Sequence, residues 1–104
     1  MNIKRLIKFW WQRVTRGWDD SETWNLDRSL AKLILPRLKR YKEISIAFPA
    51  DLTEVQWNEY LDKMIFSFEF SASKHGDYSG SDDEYEKYQE GLDLFAEYYT
   101  MLWW

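Results

Sequence analysis

The chain has no cysteine, one histidine, two prolines and four glycines among 104 residues. The lack of cysteine excludes disulfides, zinc–thiolate sites, iron–sulfur clusters and thiol nucleophiles, and we expect no cofactor. No apolar run approaches the roughly 20 residues that span a bilayer. The N-terminus begins with charge like a signal peptide, but Lys8 and Arg13 interrupt the apolar region that such a peptide needs. These features favour an unprocessed cytoplasmic protein without a membrane partner.

Aromatic residues, by contrast, are abundant. They make up 19% of the chain, with seven Trp, seven Tyr and six Phe, and hydrophobic residues reach 45%. This composition excludes an intrinsically disordered chain, and the length predicts a single domain over residues 1–104. The aromatic content exceeds what one small core requires, so we expect a homo-oligomer.

The net charge of −4 hides an uneven distribution. Residues 1–42 hold eleven basic and four acidic side chains, a net +7, whereas residues 43–104 hold three basic and fourteen acidic ones, a net −11. The simplest interpretation is that the two halves neutralise each other, within one fold or across a dimer. The alternative is that the basic half faces an anion.

Residues 1–17 are predicted to form a basic amphipathic helix that begins at Asn2 and ends at Gly17. Its apolar stripe follows helical spacing and comprises Ile3, Leu6, Ile7, Trp10, Trp11 and Val14. We expect this stripe to dock on the core with the basic side in water. A helix of this kind can also lie on an anionic membrane.

A second helix is predicted from about residue 19 to residue 42, with a kink at Pro36, because proline lacks the N–H that the helix needs. The stripe expected to be buried comprises Leu26, Leu30, Leu33, Ile34, Leu38 and Tyr41. Residues 44–49 read as an extended connector.

The second half predicts two more helices. Thr53 with Gln56 forms a capping box before a broadly apolar segment, which we expect to be the central helix. Residues 71–81 are predicted to be a flexible loop, and a box at Ser81 starts the last helix. Close helix approach is expected at Gly91. The apolar seam of that last helix comprises Tyr85, Tyr88, Leu92, Phe95, Tyr99 and Leu102.

The predicted fold is therefore all-α, a compact bundle of about four helices around an aromatic-rich core. Catalysis is not expected. His75 lies in the predicted loop, where Ser73 and Asp77 do not converge on it as a triad requires. Carboxylates recur along the last helix at Glu86, Glu90, Asp93 and Glu97. No Glu-x-x-His pair accompanies them, so we predict no metal site.

The basic residues of the second helix are the best candidates for a binding site. Guanidinium groups bind phosphate and aromatic planes stack on bases, so the pattern indicates a small anionic ligand such as a nucleotide. The candidate residues are Arg28, Lys32, Arg37, Lys39 and Arg40, with Trp24 and Tyr41 as stacking partners. The many carboxylates argue against long nucleic acid. A basic helix surface without a ligand is the alternative.

Three segments resemble small uncharacterised helical proteins of tailed bacteriophages. They are WNLDRSLAKLILPRLKRYK, LTEVQWNEYLDKMIFSFEF and YQEGLDLFAEYYTMLWW, and the similarity runs from about Trp18 to the C-terminus. The resemblance implies a compact protein expressed in the host bacterial cytoplasm, with no catalytic residues. Together with the basic cluster it favours a non-catalytic anti-defence sponge that captures a nucleotide immune signal. The alternative is a protein-interaction or virion-assembly module that acts as a homo-oligomer, with a host or phage protein as partner.

Overall fold

The computed structural model describes residues 2–73 and 81–103, and these ranges contain helices and no strand. The predicted all-α fold is confirmed. The helices are α1 (Ile3–Arg16), α2 (Leu26–Ile44), α3 (Glu54–Ser73) and α4 (Asp82–Tyr98), with 3-10 turns at Asp20–Thr23 and Tyr99–Met101. None of the helices described is both long and apolar enough to cross a membrane.

The ends of α1 are set by its flanking residues. The Asn2 side-chain oxygen accepts a hydrogen bond from the Lys4 N–H at 2.9 Å. At the other end Gly17 has a φ of +87°, and its N–H donates to the Arg13 carbonyl at 2.9 Å. A side chain at Gly17 would be strained in this left-handed conformation, which is why glycine ends the helix.

Capping boxes begin α3 and α4 as predicted. The Gln56 N–H donates to Thr53 Oγ1 at 3.1 Å, and the Glu84 N–H donates to Ser81 Oγ at 3.2 Å. Residues 71–73, which were predicted to belong to the loop, continue α3 instead. Residues 74–80, including His75, lie outside the described residues.

The second predicted helix starts later than expected. Asp19 caps the 3-10 turn Asp20–Thr23 instead, and α2 begins at Leu26. Pro36 lies inside α2 and does not divide it. The kink at Pro36 stays a prediction.

The core is built around α3, which packs against both α2 and α4. Trp57, Leu61, Met64 and Phe68 of α3 are buried together with Ala31 and Leu38 of α2. Aromatic rings complete this core, with Phe68 meeting Phe95 edge-to-face at a centroid distance of 4.9 Å. The expected central helix and aromatic core are confirmed.

Part of the stripe expected to be buried in α2 is exposed. Leu26, Leu30 and Leu33 face solvent, and the buried residues are Ala31 and Leu38. The prediction was wrong here because α2 packs on α3 along a single stripe, while the neighbouring leucines line an open groove of about 440 Å³ beside Trp18.

The predicted seam of α4 also changes near its end. The helix stops at Tyr98, and the 3-10 turn that follows leaves Tyr99 exposed. Tyr98 packs instead, edge-to-face on Trp57 with ring centroids 5.5 Å apart. The seam prediction therefore fails at Tyr99, where the tighter turn begins, whereas Leu102, its last residue, packs against the core as expected.

The backbones of α3 and α4 approach closely at Gly91, as the sequence predicted. Ser67 of α3 is fully buried, and its hydroxyl donates to the Tyr88 carbonyl at 2.7 Å. A Cβ at Gly91 would overlap both the Ser67 hydroxyl and the Lys63 carbonyl. Two small residues therefore set the distance between these helices.

We expect Gly91→Ala to destabilise the bundle, although alanine favours a helix by about 1 kcal/mol over glycine. Overpacking costs about 1–3 kcal/mol and is severe here, because the Lys63 backbone must move. Chemical denaturation measures the change in unfolding free energy. Gln89→Ala, on the exposed side of α4, is the control and should leave stability nearly unchanged. A Gly91→Ala protein as stable as the wild type would contradict the close approach.

Candidate functional site

The residues predicted to bind an anion face different parts of the fold. The Arg28 guanidinium donates to the Ala72 carbonyl at 3.2 Å, near the end of α3. Lys39 pairs with Glu69 of α3 at 3.0 Å. These cations on one side of α2 thus lie against α3, where they support packing between the two helices.

Three others share a shallow depression beside Pro36. Arg37, Arg40 and Tyr41 line this open surface of about 530 Å³. Arg40 pairs with Glu43 at 2.9 Å, whereas Arg37 donates to the Leu33 carbonyl of its own helix at 2.7 Å. The Tyr41 hydroxyl donates to the Trp103 carbonyl at 3.2 Å. These three residues are the part of the predicted site that the fold brings together.

The remaining two predicted residues lie elsewhere. Lys32 is exposed and forms no ion pair within residues 2–73 and 81–103. Trp24 packs on α1, with its ring 5.6 Å from the Phe9 ring and 4.7 Å from the Arg5 guanidinium. Trp24 therefore belongs to the α1 contact and does not stack over the cations of α2.

The largest unexpected feature is the apolar stripe of α1, which faces solvent. Its six side chains are 49–71% exposed. They are Ile3, Leu6, Ile7, Trp10, Trp11 and Val14. Among the described elements, α1 packs only on the 3-10 turn Asp20–Thr23. The expectation that this stripe docks on the core is wrong.

Asp20 explains this orientation, because it binds the opposite side of α1. Its carboxylate accepts hydrogen bonds from Gln12 Nε2 at 2.8 Å and from Arg16 Nη2 at 2.6 Å. Lys8 Nζ lies 3.4 Å away. Hydrogen bonds from Gln12 and Arg16 lower the pKa of Asp20 to about 2. Asp20 therefore stays charged and holds the polar side of α1 inward.

Asp19 completes this clasp, by which we mean Asp19 and Asp20 with their α1 partners. Asp19 is buried, accepts from the Ser21 N–H at 2.8 Å and lies 3.5 Å from Arg13 Nη1. Phe9 is the one buried side chain of α1, covered by Trp24. The sequence contained this signal, since two adjacent carboxylates follow a helix that has five cations and no acid.

Basic residues also border the exposed stripe, which we call the α1 face. Residues seven apart lie nearly above one another on a helix, so Lys4 stands beside Trp11 and Arg13 beside Leu6. The α1 face is thus an apolar band with a cation at each edge.

Comparison with family models, with curated proteins and with solved structures finds no match for this chain.

The clasp should weaken in acid. Because the pKa of Asp20 is lowered from its usual value of 3.8 to about 2, its stabilisation is complete above pH 4 and is lost as the pH falls towards 2. An NMR titration should show the Asp20 carboxyl carbon and the α1 amides shifting together near pH 2. In the Asp20→Asn variant the chemical shifts of the α1 amides should no longer change near pH 2, because no carboxylate titrates at this position. An Asp20 that titrates near 3.8 would contradict the clasp.

Proposed function

We propose, against the sequence-based expectation of no membrane partner, that this protein is a non-catalytic docking protein that binds an anionic lipid surface through the α1 face. The observation that carries this proposal is the outward orientation of the apolar stripe, which the clasp imposes. A helix with tryptophans and aliphatic residues on one side and cations on the other is typical of helices that lie in the membrane interface.

Hydrophobic burial supplies the first driving force. Complete burial of a large apolar side chain contributes about 1.5–3 kcal/mol, and the α1 face offers six that are 49–71% exposed. Trp10 and Trp11 suit the boundary between headgroups and acyl chains, because the indole has both an apolar body and a polar N–H.

Electrostatic attraction supplies the second driving force, and it also orients the protein relative to the lipid surface. A Lys or Arg near an anionic leaflet contributes about 1 kcal/mol. Lys4, at one edge of the face, can reach lipid phosphates while the stripe is buried. The acidic α4 carries seven carboxylates and one lysine, so an anionic surface repels that side of the molecule. We therefore expect α1 to contact the lipid surface while α4 faces away from it.

Pairing of two α1 faces is a poorer explanation. Each α1 has five cations and no acid, so two such helices side by side would repel each other. If the resemblance to phage proteins holds, the relevant surface is the cytoplasmic leaflet of the host membrane, which is rich in anionic lipids.

We expect the protein to co-sediment with vesicles of phosphatidylcholine and phosphatidylglycerol, and much less with phosphatidylcholine alone. Trp10→Ser with Trp11→Ser should abolish this binding without unfolding, because both side chains are exposed. The control variant, Ile46→Asn with Trp103→Ser, removes side chains that are at least as exposed at the other end of the bundle. It should bind at least as strongly as the wild type. Equal binding by the α1 variant, or no binding by the wild type, would overturn the proposal.

Capture of a small anionic ligand is the second candidate function, and the depression formed by Arg37, Arg40 and Tyr41 supports it. Of the two arginines, Arg37 donates to a carbonyl in the described structure, whereas Arg40 donates to a carboxylate. An immune-signal sponge would use this depression to capture a nucleotide in the host cytoplasm.

This second candidate predicts that a nucleotide, tested in a panel that includes cyclic nucleotides, raises the melting temperature. Arg37→Ala should remove the shift, because the other arginine is already paired with Glu43. Lys32→Ala, outside the depression, is the matched control and should retain it. A panel without any shift would leave this hypothesis without support.

A further inference from the structure

A second exposed apolar surface lies where the connector after α2 meets the C-terminal segment. We call it the tail patch, and it comprises the exposed Phe48, Met101 and Trp103, which line one cleft, together with the exposed Ile46 two residues before Phe48 in the connector. The Tyr41 hydroxyl holds the C-terminal segment here through the Met101 and Trp103 carbonyls. Ile46 is 90% exposed, the highest value among the large apolar side chains described.

The tail patch has a shape that accepts a side chain. Ala47, Phe48, Pro49, Met101 and Trp103 line a cleft of about 100 Å³. Pro49 is the buried residue of this lining, and its ring restricts the backbone there. A single aliphatic or aromatic side chain from another molecule fits a space of this size.

The charge around the tail patch is opposite to that of α1. Glu43, Asp51, Glu54 and Glu97 belong to the segments that meet at this end. Burial, together with the carboxylates of Glu97 and Asp51, raises the pKa of the adjacent Tyr98. Of the cations at this end of α2, Arg40 pairs with Glu43 and Lys42 pairs with Asp62. Arg37 donates to a carbonyl, so one cation stands against the carboxylates of Asp51, Glu54 and Glu97. A basic apolar helix is therefore the complementary partner.

The α1 helix of the same copy does not cover the tail patch. The tail patch and the clasp lie at opposite ends of α2, whose 19 residues span about 28 Å. The clasp keeps α1 on the 3-10 turn Asp20–Thr23. The molecule is elongated, with extents of 53 × 34 × 19 Å, so the two apolar surfaces stand well separated.

We infer that the tail patch receives the α1 face of a second copy of this chain, head to tail. This inference rests on the exposed α1 face of the proposed function and adds a second occupant for it. Because the two surfaces differ, the contact is heterologous, and successive copies extend into a chain or close into a ring. Lipid and tail patch then compete for α1, so self-assembly shields the α1 face until an anionic surface is met.

Three proteins test this arrangement by size-exclusion chromatography with light scattering. The wild type should gain mass with concentration. The α1 variant, Trp10→Ser with Trp11→Ser, and the tail variant, Ile46→Asn with Trp103→Ser, should each stay monomeric. An equimolar mixture of the two variants should form a heterodimer, because one keeps an intact tail patch and the other an intact α1 face.

Leu30→Ser provides the matched control. Leu30 is exposed in the groove beside Trp18 and belongs neither to the α1 face nor to the tail patch, so this variant should assemble like the wild type. A wild type that remains monomeric up to its solubility limit would overturn the inference. Assembly by the tail variant alone, or a mixture of the two variants that remains monomeric, would also overturn it.

Vesicle binding separates this inference from the proposed function. The tail variant should still bind anionic vesicles, and adding such vesicles to the wild type should dissolve its assemblies. If the wild type does not bind vesicles but assembles through α1, the lipid function is wrong and the head-to-tail assembly is supported. If vesicles bind but no assembly forms, the lipid function stands and the tail-patch inference fails.

Discussion

The carboxylate of Asp20, shared by Gln12, Arg16 and Lys8, decides which side of α1 meets the rest of the protein. With its polar side held inward, the helix has no means of covering its own apolar stripe. Charge-assisted hydrogen bonds are stronger than neutral ones, and here several converge on one acceptor. Burial of Phe9 under Trp24 adds an apolar contact on the same side. The exposed α1 face is thus a consequence of the clasp.

The bundle below this clasp follows a simpler rule, in which α3 provides the surface on which α2 and α4 pack. Gly91 and Ser67 let α4 approach closely, while Ala31 and Leu38 form the contact from α2. Ion pairs such as Lys39–Glu69 and Lys42–Asp62 join the basic α2 to α3. The basic charge of α2 is therefore neutralised in part by carboxylates of the acidic half of the chain. This neutralisation does not extend to α1, whose described ion pairs involve Asp19 and Asp20.

Local signals predicted the elements well, because helix ends depend on a few neighbouring residues. Asn2, Gly17, Thr53 and Ser81 each set a boundary as expected. Which stripe becomes buried depends on distant partners, and there the predictions were weaker. The exposed leucines of α2 illustrate this, since periodicity marks an apolar stripe without showing that another element covers it. Likewise, the spacing of basic residues did not reveal that Arg28 and Lys39 turn towards α3.

The amino-acid sequence alone determined the all-helical class, the position of most helix ends, the aromatic core of α3 and the need for a small residue at Gly91. These properties follow from periodicity, capping and volume, which act over short stretches of chain. Tertiary structure decided the direction in which α1 faces, the division of the basic residues among separate surfaces and the exposure of the tail patch. Those properties depend on which groups meet across the fold, and a helix with two strong faces can dock by either one until a specific partner such as Asp20 selects between them.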